Sequence, residues 1–489
     1  MGFGTLMRIG VIGAGPAGLT AARELVGQVE TLVLEQDPTM VGGISRTVEY
    51  KGYRFDIGGH RLFSKNADVE QYWQRVLGAD LLSRPRMSRI FYGGKFYDYP
   101  LRAGNAFRNL GALDTARCLL DYVRARRHPT TPALTFEDWV TNQFGRRLYE
   151  MFFKTYTEKV WGIPCEEISA DWAAQRIKGL NLATAVRSAI FGTRGDGPVV
   201  RTLIDEYRYP RLGPGMLWER VAQEIVERSG TLLMGQRVVG VEWEGGAGAR
   251  TLLARSEDGR VSAYSVDHII SSMPIRSLIR AMGPQVPEDV ARAGEALKYR
   301  DFLTVALIVD APDLFPDNWI YIHDAAVRVG RIQNFKNWSP DMVPNSNTTC
   351  VGMEYFCFAG DSLWAASDVQ LLGLAERELK QVGLLGVGRV IDGQVVRVPK
   401  AYPVYDEDYA HNVEVVRRFL TTQVPNVQLV GRNGMHRYNN QDHAMVTGML
   451  AAQNILHPEQ TYDLWAVNGD AEYLEEVSEE RLVPRRVFG

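Results

Sequence analysis

Three glycines and an acidic residue near the start of the chain have a spacing that could serve nucleotide binding. Gly13, Gly15 and Gly18 stand between an apolar run, residues 8–12, and a helical pattern. In such a loop the first glycine permits a tight turn, the second lets the backbone approach a pyrophosphate, and the third allows close helix packing. Glu35 ends the next predicted strand, where a carboxylate would accept hydrogen bonds from a ribose. The context favours a dinucleotide site over an ordinary strand-to-helix turn.

A second glycine-rich loop decides which dinucleotide the sequence favours. Gly42 and Gly43 lie just beyond the acidic strand end, and residues 55–60 contain a further Gly-Gly pair before His60. An extended dinucleotide needs more backbone contacts than NAD, and glycines let main chain lie close to a flat ring. A plain glycine turn is the alternative for each loop. We predict FAD as the cofactor.

A late segment, residues 431–441, precedes a predicted helix rich in small residues at 444–456. The segment could be an ordinary loop and helix cap. It could also form the floor of a flavin site, because the N-terminus of a helix stabilises negative charge on the pyrimidine edge of a reduced ring.

The elements that would position these loops indicate a mixed protein. Buried strands are predicted at 8–12, 31–34, 268–273 and 427–430, and a hairpin at 89–92 and 95–99 around Gly93-Gly94. Helical patterns follow one another at 106–126, 136–144, 147–160 and 170–177, with others at 217–228 and 444–456. Strand patterns occur at 236–243, 302–309 and 348–358. The predicted fold class is α/β: a Rossmann-like FAD-binding domain of the glutathione-reductase and amine-oxidase type, with a helical insertion and an antiparallel β-sheet substrate domain.

A chain of 489 residues with 45% hydrophobic side chains should divide into two or three units. We expect a discontinuous FAD-binding domain, a helical domain and a β-sheet substrate-binding domain, in that order at residues 1–65, 200–290 and 400–489; 101–199; and 66–100 and 291–399.

Composition argues against several partners. A net charge of −3, from 55 basic and 58 acidic residues, does not suit nucleic acid. No apolar run of about 18 to 20 residues predicts a membrane span. The four cysteines form no CxxC motif, which favours a reducing, cytoplasmic location and no metal. A homo-oligomer stays possible.

The motifs resemble those of a known family. Gly-Gly-His60, Lys159-Val-Trp161, Tyr209-Pro-Arg and Asn440-Gln-Asp-His443 are similar to segments of UDP-galactopyranose mutases, particularly the longer eukaryotic-type members, within the flavin amine oxidase and protoporphyrinogen oxidase group. The resemblance covers most of the chain. It implies a redox-neutral reaction in which N5 of reduced FAD attacks the anomeric carbon of a nucleotide-activated sugar and pyranose and furanose forms interconvert, with NADPH as the reductant.

The resemblance also assigns roles to residues. It places His60 beside the flavin and implies a clamp for the departing diphosphate made of Arg176, Arg331, Tyr402 and Tyr438. It implies a substrate cleft lined by Tyr99, Trp161, Trp319 and Tyr321, and NADPH contacts at Arg86 and Ser88. The implied FAD contacts are Gly13, Gly15, Gly18, Glu35, Gln36, Gly42, Gly43, Ser45, Gly59, Val238, Gly431, Arg432, Asn440 and Gln441. Taken alone, each arginine would more often be a surface ion pair.

The chain departs from the family around the nucleobase. Leu101 and Arg102 stand where an aromatic residue and an amide are expected, and Thr157 and Ile204 replace amides. The predicted substrate is therefore a nucleotide sugar whose base and sugar can differ from those of UDP-galactose.

Two other functions fit the glycine loops. One is an FAD oxidase or dehydrogenase of the amine oxidase or protoporphyrinogen oxidase type, which would not need arginines and tyrosines converging on a diphosphate. The other is a protein that binds FAD without turnover.

Overall fold

The computed structural model describes residues 7–99, 103–170 and 206–468. The strands of these segments are β1 Arg8–Ile12, β2 Glu30–Leu34, β3 Thr47–Tyr50, β4 Tyr53–Asp56, β5 Leu81–Pro85, β6 Ser88–Tyr92, β7 Lys95–Asp98, β8 Glu206–Pro210, β9 Thr231–Leu233, β10 Arg237–Glu244, β11 Gly248–Arg255, β12 Val261–Ser265, β13 His268–Ser271, β14 Tyr299–Asp310, β15 Trp319–Ile322, β16 Arg331–Asn334, β17 Thr349–Cys357, β18 Arg389–Pro403 and β19 Val427–Leu429. The α-helices are Pro16–Leu25, Ala67–Leu77, Ala103–Arg127, Phe136–Phe144, Arg146–Tyr149, Thr155–Trp161, Gly215–Glu227, Ile275–Ala281, Glu288–Ala296, Phe335–Trp338, Ser362–Ala365, Asp368–Gln381, Tyr409–Gln423, Gly431–Gly434 and Gln441–Leu456.

A parallel sheet brings the two ends of the described chain together. Its order is β19-β13-β1-β2-β9, with every neighbouring pair parallel. Both faces of a parallel sheet are covered, which is why four of the five residues of β1 and of β2 are buried. The helix Pro16–Leu25 packs closely against Gln441–Leu456, because a Cβ on Gly448 would lie 2.3 Å from the carbonyl oxygen of Ala17. The predicted Rossmann-like arrangement is confirmed.

A larger sheet has the order β18-β14-β17-β16-β15-β6-β7. Its pairs are antiparallel except for β15 and β6, which run parallel and join the early hairpin to the later strands. The long strand β14 is buried along nearly its whole length. This sheet carries several of the residues to which the sequence assigns substrate binding. The domain limits themselves stay predictions.

The helical region differs from its prediction in two places. The helix predicted at 106–126 is interrupted at Gly111, whose φ of +80° and ψ of +170° are not helical. A single helix at 147–160 is wrong: the structure has a short helix, Arg146–Tyr149, then a turn of π-helix, Glu150–Lys154, and then Thr155–Trp161. A π-turn shifts the register of the side chains that follow it, so periodicity alone could not place it. The helix Phe136–Phe144 is confirmed and begins with a capping box between Thr135 and Asp138.

The helix predicted at 170–177 lies almost wholly outside the described residues. Within the described ranges, no helix is long and apolar enough to cross a membrane, and no group of His, Cys, Asp and Glu could hold a metal ion. All four cysteines are buried thiols.

Candidate functional site

The first glycine loop has the geometry of an anion site. Gly13 has a φ of +95°, which favours glycine, and its N–H donates to the Leu34 carbonyl at 2.9 Å. A Cβ on Gly18 would lie 1.9 Å from the Gly13 carbonyl oxygen, so only glycine fits there. The helix Pro16–Leu25 begins without a side-chain cap and without an acidic residue in its first turn. Its N-terminal amides suit a bound phosphate.

Glu35 and the second glycine loop complete this wall of the site. The two Glu35 carboxylate oxygens accept hydrogen bonds from the backbone N–H groups of Ala14, at 2.6 Å, and Asp37, at 2.8 Å. Burial raises the pKa of this carboxyl. The Gly42 N–H donates to the Ala14 carbonyl at 2.7 Å, and Gly43 lies opposite Gly15, whose Cβ would be 3.9 Å from the Gly43 Cα. The loops therefore form one continuous cradle of backbone.

Three further predicted FAD contacts have different settings. Ser45 is buried beside the second loop. Val238 is buried on β10, and just before this strand the Gln236 N–H donates to the Glu35 backbone carbonyl at 2.7 Å. Gln36 is exposed, and within the described ranges its side chain forms no hydrogen bond or ion pair that supports its assignment.

The late glycine segment lies against the first helix. Gly431 has a φ of +75°, and a Cβ there would lie 2.9 Å from the Cβ of Ala17. At the start of the helix Gln441–Leu456, the Gln441 Oε1 accepts from Trp218 at 2.9 Å, whereas its buried Nε2 has no hydrogen-bond partner among the described residues. The Asn440 N–H approaches His443 Nδ1 at 3.3 Å. The glycine cradle, the helix Pro16–Leu25 without a side-chain cap, and the unsatisfied side-chain amide of Gln441 together fit a flavin dinucleotide.

A buried ion pair holds Arg331 at the beginning of β16. Its Nε donates to Glu354 Oε2 at 2.5 Å, and its Nη2 donates to the Tyr402 hydroxyl at 3.0 Å. The Glu354 side chain is 0% exposed and also accepts from Gln333, which in turn accepts from Trp338. Burial opposes the charge of Arg331, but the neighbouring Glu354 carboxylate more than compensates and keeps its pKa well above the usual range. Arg331 is therefore fixed as a cation.

Two tyrosines stack beside this arginine. The rings of Tyr402 and Tyr438 are 5.7 Å apart and 17° from parallel. The Arg432 guanidinium lies over both, 5.1 Å from the Tyr402 ring and 4.7 Å from the Tyr438 ring. Trp161 closes the group, 5.7 Å from the Tyr438 ring, and is 4% exposed. The structure thus brings together residues that are separated by up to hundreds of positions in the chain.

His60 belongs to the same cluster and is neutral. Burial, with the nearby positive charges of Arg432 and Arg331, lowers the pKa of His60 to about 3. Its Nδ1 is buried and has no hydrogen-bond partner among the described residues. Gly59, just before it, packs on Trp319, because a Cβ there would lie 3.1 Å from that ring. A neutral imidazole can donate from one nitrogen and accept at the other.

An aromatic wall adjoins the cluster. The Tyr321 ring lies 5.0 Å from Tyr99 and 5.7 Å from Trp319. The Arg86 guanidinium lies 5.6 Å from the Tyr99 ring and 5.4 Å from Tyr207. Ser88 is buried and pairs with Trp319 in the sheet. The residues predicted for NADPH and those predicted for the nucleotide sugar therefore share one wall.

Two residues of this region were missed by sequence reasoning. Arg61 follows His60, and its guanidinium lies 4.8 Å from the Trp319 ring and 5.1 Å from Tyr207. Tyr156 stacks on His323 at 4.7 Å, and its pKa is raised by burial, with Arg331, Tyr438 and Glu354 close enough to act on it. Position 156 precedes Thr157 and shares a helix with Trp161, which was an available signal.

Thr157 is buried on that helix, 6% exposed. Arg176, Leu101, Arg102 and Ile204, which carry the fourth clamp position and most of the nucleobase prediction, lie outside the described residues.

Asp56 lies beneath the loop that leads to His60, and it should make stability depend on pH. It accepts from the Tyr209 hydroxyl at 2.5 Å and the Thr47 hydroxyl at 2.9 Å, and burial raises its pKa to about 7. A carboxyl with a raised pKa binds its proton more tightly in the folded state than in the unfolded state. Its contribution to the free energy of unfolding is therefore present at low pH and is lost as pH rises from about 4 to about 7.

We expect Asp56→Asn to remove this loss, which is on the order of 4 kcal/mol for a shift of about three units. Thermal unfolding of both proteins at pH 5 and pH 8 measures it. The variant should gain relative to the parent at pH 8, and an equal pH response in the two proteins would contradict the assignment.

Comparison with known proteins assigns the class. A family model described as flavin containing amine oxidoreductase matches residues 16–456, and the chain belongs to this family. It is thus a flavin-dependent protein of the amine oxidase superfamily, which confirms the predicted fold class and implies FAD.

More specific similarity points to mutases. The chain is 25% identical to a protein described as reduced UDP-galactopyranose mutase, with a TM-score of 0.79 over 92% of this chain and 95% of that one. A probable UDP-galactopyranose mutase of Klebsiella pneumoniae is 26% identical over 168 residues, which span 33% of this chain and 42% of that relative. A putative protoporphyrinogen oxidase from Exiguobacterium sp. 255-15 shares the fold at 16% identity and a TM-score of 0.69, over 92% of this chain and 98% of that one.

Proposed function

We propose that the protein is an FAD-dependent mutase that interconverts the pyranose and furanose forms of a nucleotide-activated sugar. One observation carries the proposal: the Arg331 guanidinium is held between Glu354 and Tyr402, next to the stacked Tyr402 and Tyr438 and the Arg432 cation. An oxidase acting on an amine or a porphyrinogen has no need for this convergence of cations and phenols. A diphosphate that must stay bound while its sugar is detached does need it.

The residues divide the work as follows. Gly15, Gly43 and the helix that begins at Pro16 hold the FAD pyrophosphate, and Glu35 holds its adenosine ribose. When bound and reduced, FAD would supply the nucleophile, its N5 atom, for the anomeric carbon. Arg331 binds the diphosphate, and its two observed contacts engage a minority of the five N–H donors of a guanidinium. The Tyr402 and Tyr438 hydroxyls donate further hydrogen bonds to the diphosphate.

His60 contributes as a neutral group. Its low pKa means that it carries no charge at neutral pH, so it can donate a hydrogen bond near the flavin without repelling Arg331 and Arg432. Trp161 and Tyr402, both nearly buried, restrict water around the sugar. Restricting water protects a sugar that has been separated from its leaving group.

We infer that NADPH reduces the flavin and that it enters over the same aromatic wall. Arg86 lies over Tyr99 there, and Arg432 lies over the rings of Tyr402 and Tyr438. An arginine over an aromatic ring is preoriented for a phosphate and loses little side-chain freedom on binding it.

The test uses the purified yellow protein under anaerobic conditions. It is reduced by dithionite in one arm and by NADPH in the other, and it is then mixed with uridine, guanosine, cytidine and thymidine diphosphate sugars. We expect a new isomer by chromatography in at least one case, with no stoichiometric use of reductant. Hydrogen peroxide or continuous reductant consumption without an isomer would favour an FAD oxidoreductase and overturn the proposal.

A further inference from the structure

A partly buried lysine and a buried arginine lie on either side of the helix Thr155–Trp161, which carries Tyr156, Thr157 and Trp161. Lys159 projects from the helix, whereas Arg300 lies on β14 and faces the helix end.

The ammonium group of Lys159 is bonded to the connection between β15 and β16. Its Nζ donates to the carbonyl oxygens of Asp324 at 2.6 Å, Ile322 at 3.2 Å and Val329 at 3.2 Å. One ion thus uses all three of its donors on three carbonyls of one connection. That connection runs from Ile322, the last residue of β15, to Arg331, the first residue of β16, so Lys159 holds the segment near both of its ends.

Arg300 holds the other side of the helix. Its guanidinium donates to the Lys159 and Val160 carbonyls, each at 3.3 Å, and to the Phe356 carbonyl at 3.0 Å. The last carbonyls of a helix have no partner within it, and a cation there also stabilises the helix dipole. Gly162 must be glycine, because its φ is +70° and a Cβ would lie 2.4 Å from the guanidinium.

Burial lowers the pKa of Lys159 to about 8, while the carboxylates of Glu378 and Asp324 act in the opposite direction. The ammonium form therefore predominates at neutral pH. A charged group taken partly out of water is costly unless it is hydrogen-bonded, and the three bonds of Lys159 join its helix to the β15–β16 connection.

We propose that Lys159 is a positioning residue for the nucleotide site: its ammonium group locks the connection before Arg331 to the helix of Trp161, and Arg300 anchors that helix to the sheet. The inference rests on the proposed function for its consequence, which is a correctly placed diphosphate clamp. The geometric part, the locking of the 322–331 connection, does not depend on it.

The test compares Lys159→Met with Lys159→Arg and with Lys154→Met. The methionine keeps the volume and removes the ion, the arginine keeps the ion, and Lys154 is a control lysine on the preceding turn whose nearest acids are at 3.9 and 4.0 Å. Hydrogen exchange of the holoenzyme, read by mass spectrometry, should be faster for Lys159→Met in peptides covering 319–334 and unchanged for Lys154→Met. Equal exchange in Lys159→Met and the parent would overturn the proposal.

Measuring diphosphate affinity tests the effect on the clamp separately from the locking of the 322–331 connection. Titration of the holoenzymes with uridine, guanosine, cytidine and thymidine diphosphates should show a Kd roughly 10-fold or more higher in Lys159→Met, because small displacements of a clamp lose much of its binding. Lys159→Arg should recover part of this loss. Faster exchange with unchanged affinity would overturn the positioning role. If the parent binds none of the diphosphates, the proposed function fails, and the exchange result still decides the lock.

Discussion

Replacing Arg331 by methionine is expected to weaken nucleoside diphosphate binding by roughly 100-fold, because charge-assisted hydrogen bonds to the phosphate oxygens are lost. The flavin spectrum should stay unchanged, since the glycine loops lie on other elements. Titration of the holoenzyme with the diphosphates measures the loss. Unaltered affinity in a protein whose parent binds would remove Arg331 from the clamp.

The same change leaves Glu354 buried without its cation, which should cost about 3–5 kcal/mol of stability. Two variants separate the effects. Adding Glu354→Gln to Arg331→Met should restore stability but not binding. Arg89→Met breaks a comparable pair, in which Nη2 of Arg89 lies 2.5 Å from the fully buried Asp317, so it should lose stability while keeping affinity. If Arg89→Met lost affinity equally, destabilisation alone would explain the result for Arg331.

Alanine at Gly15 and at Gly18 should abolish FAD binding in different ways. A Cβ on Gly18 would strike the Gly13 carbonyl at 1.9 Å, so the apoprotein should lose at least about 1–3 kcal/mol through overpacking. A Cβ on Gly15 would meet its nearest neighbour, Gly43, at an ordinary 3.9 Å. The Gly15→Ala apoprotein should therefore fold normally and lose FAD, because the methyl group occupies the approach to the pyrophosphate.

Thermal unfolding of the apoproteins and the flavin absorbance of the purified proteins measure the two effects. The distinction fails if Gly15→Ala retains a full complement of FAD, or if Gly18→Ala matches the parent in both stability and flavin content. A loss of stability in the Gly15→Ala apoprotein would instead assign that glycine to packing.

Local signals in the sequence predicted the parts of the site that depend on the backbone. The turn at Gly13, the carboxylate of Glu35 and the paired glycines at 42 and 43 were found because a positive φ and close backbone approach restrict residue choice. The β6–β7 hairpin around Gly93-Gly94 was found for the same reason. These features require few long-range contacts, so short-range patterns report them.

Patterns failed where tertiary contacts override local preference. The π-turn at Glu150–Lys154 interrupts a region that reads as one helix. The helices Asp368–Gln381 and Tyr409–Gln423 were missed although each buries one apolar stripe, which is a local signal of a helix. The parallel pairing of β6 with β15 was also invisible, since it joins segments more than two hundred residues apart.

By itself, the sequence predicted a flavin dinucleotide site: the spacing of Gly13, Gly15 and Gly18, the acid at Glu35 and the second loop at Gly42 and Gly43 restrict the local backbone whatever the rest of the chain does. It also nominated Arg331, Tyr402 and Tyr438, through resemblance. Only the tertiary structure decided that Arg331 is paired with Glu354, that the tyrosines stack under Arg432, and that Lys159 grips the connection before Arg331. The reason is that a charge or ring acquires its orientation and pKa from neighbours brought close by folding, and sequence spacing carries no record of them.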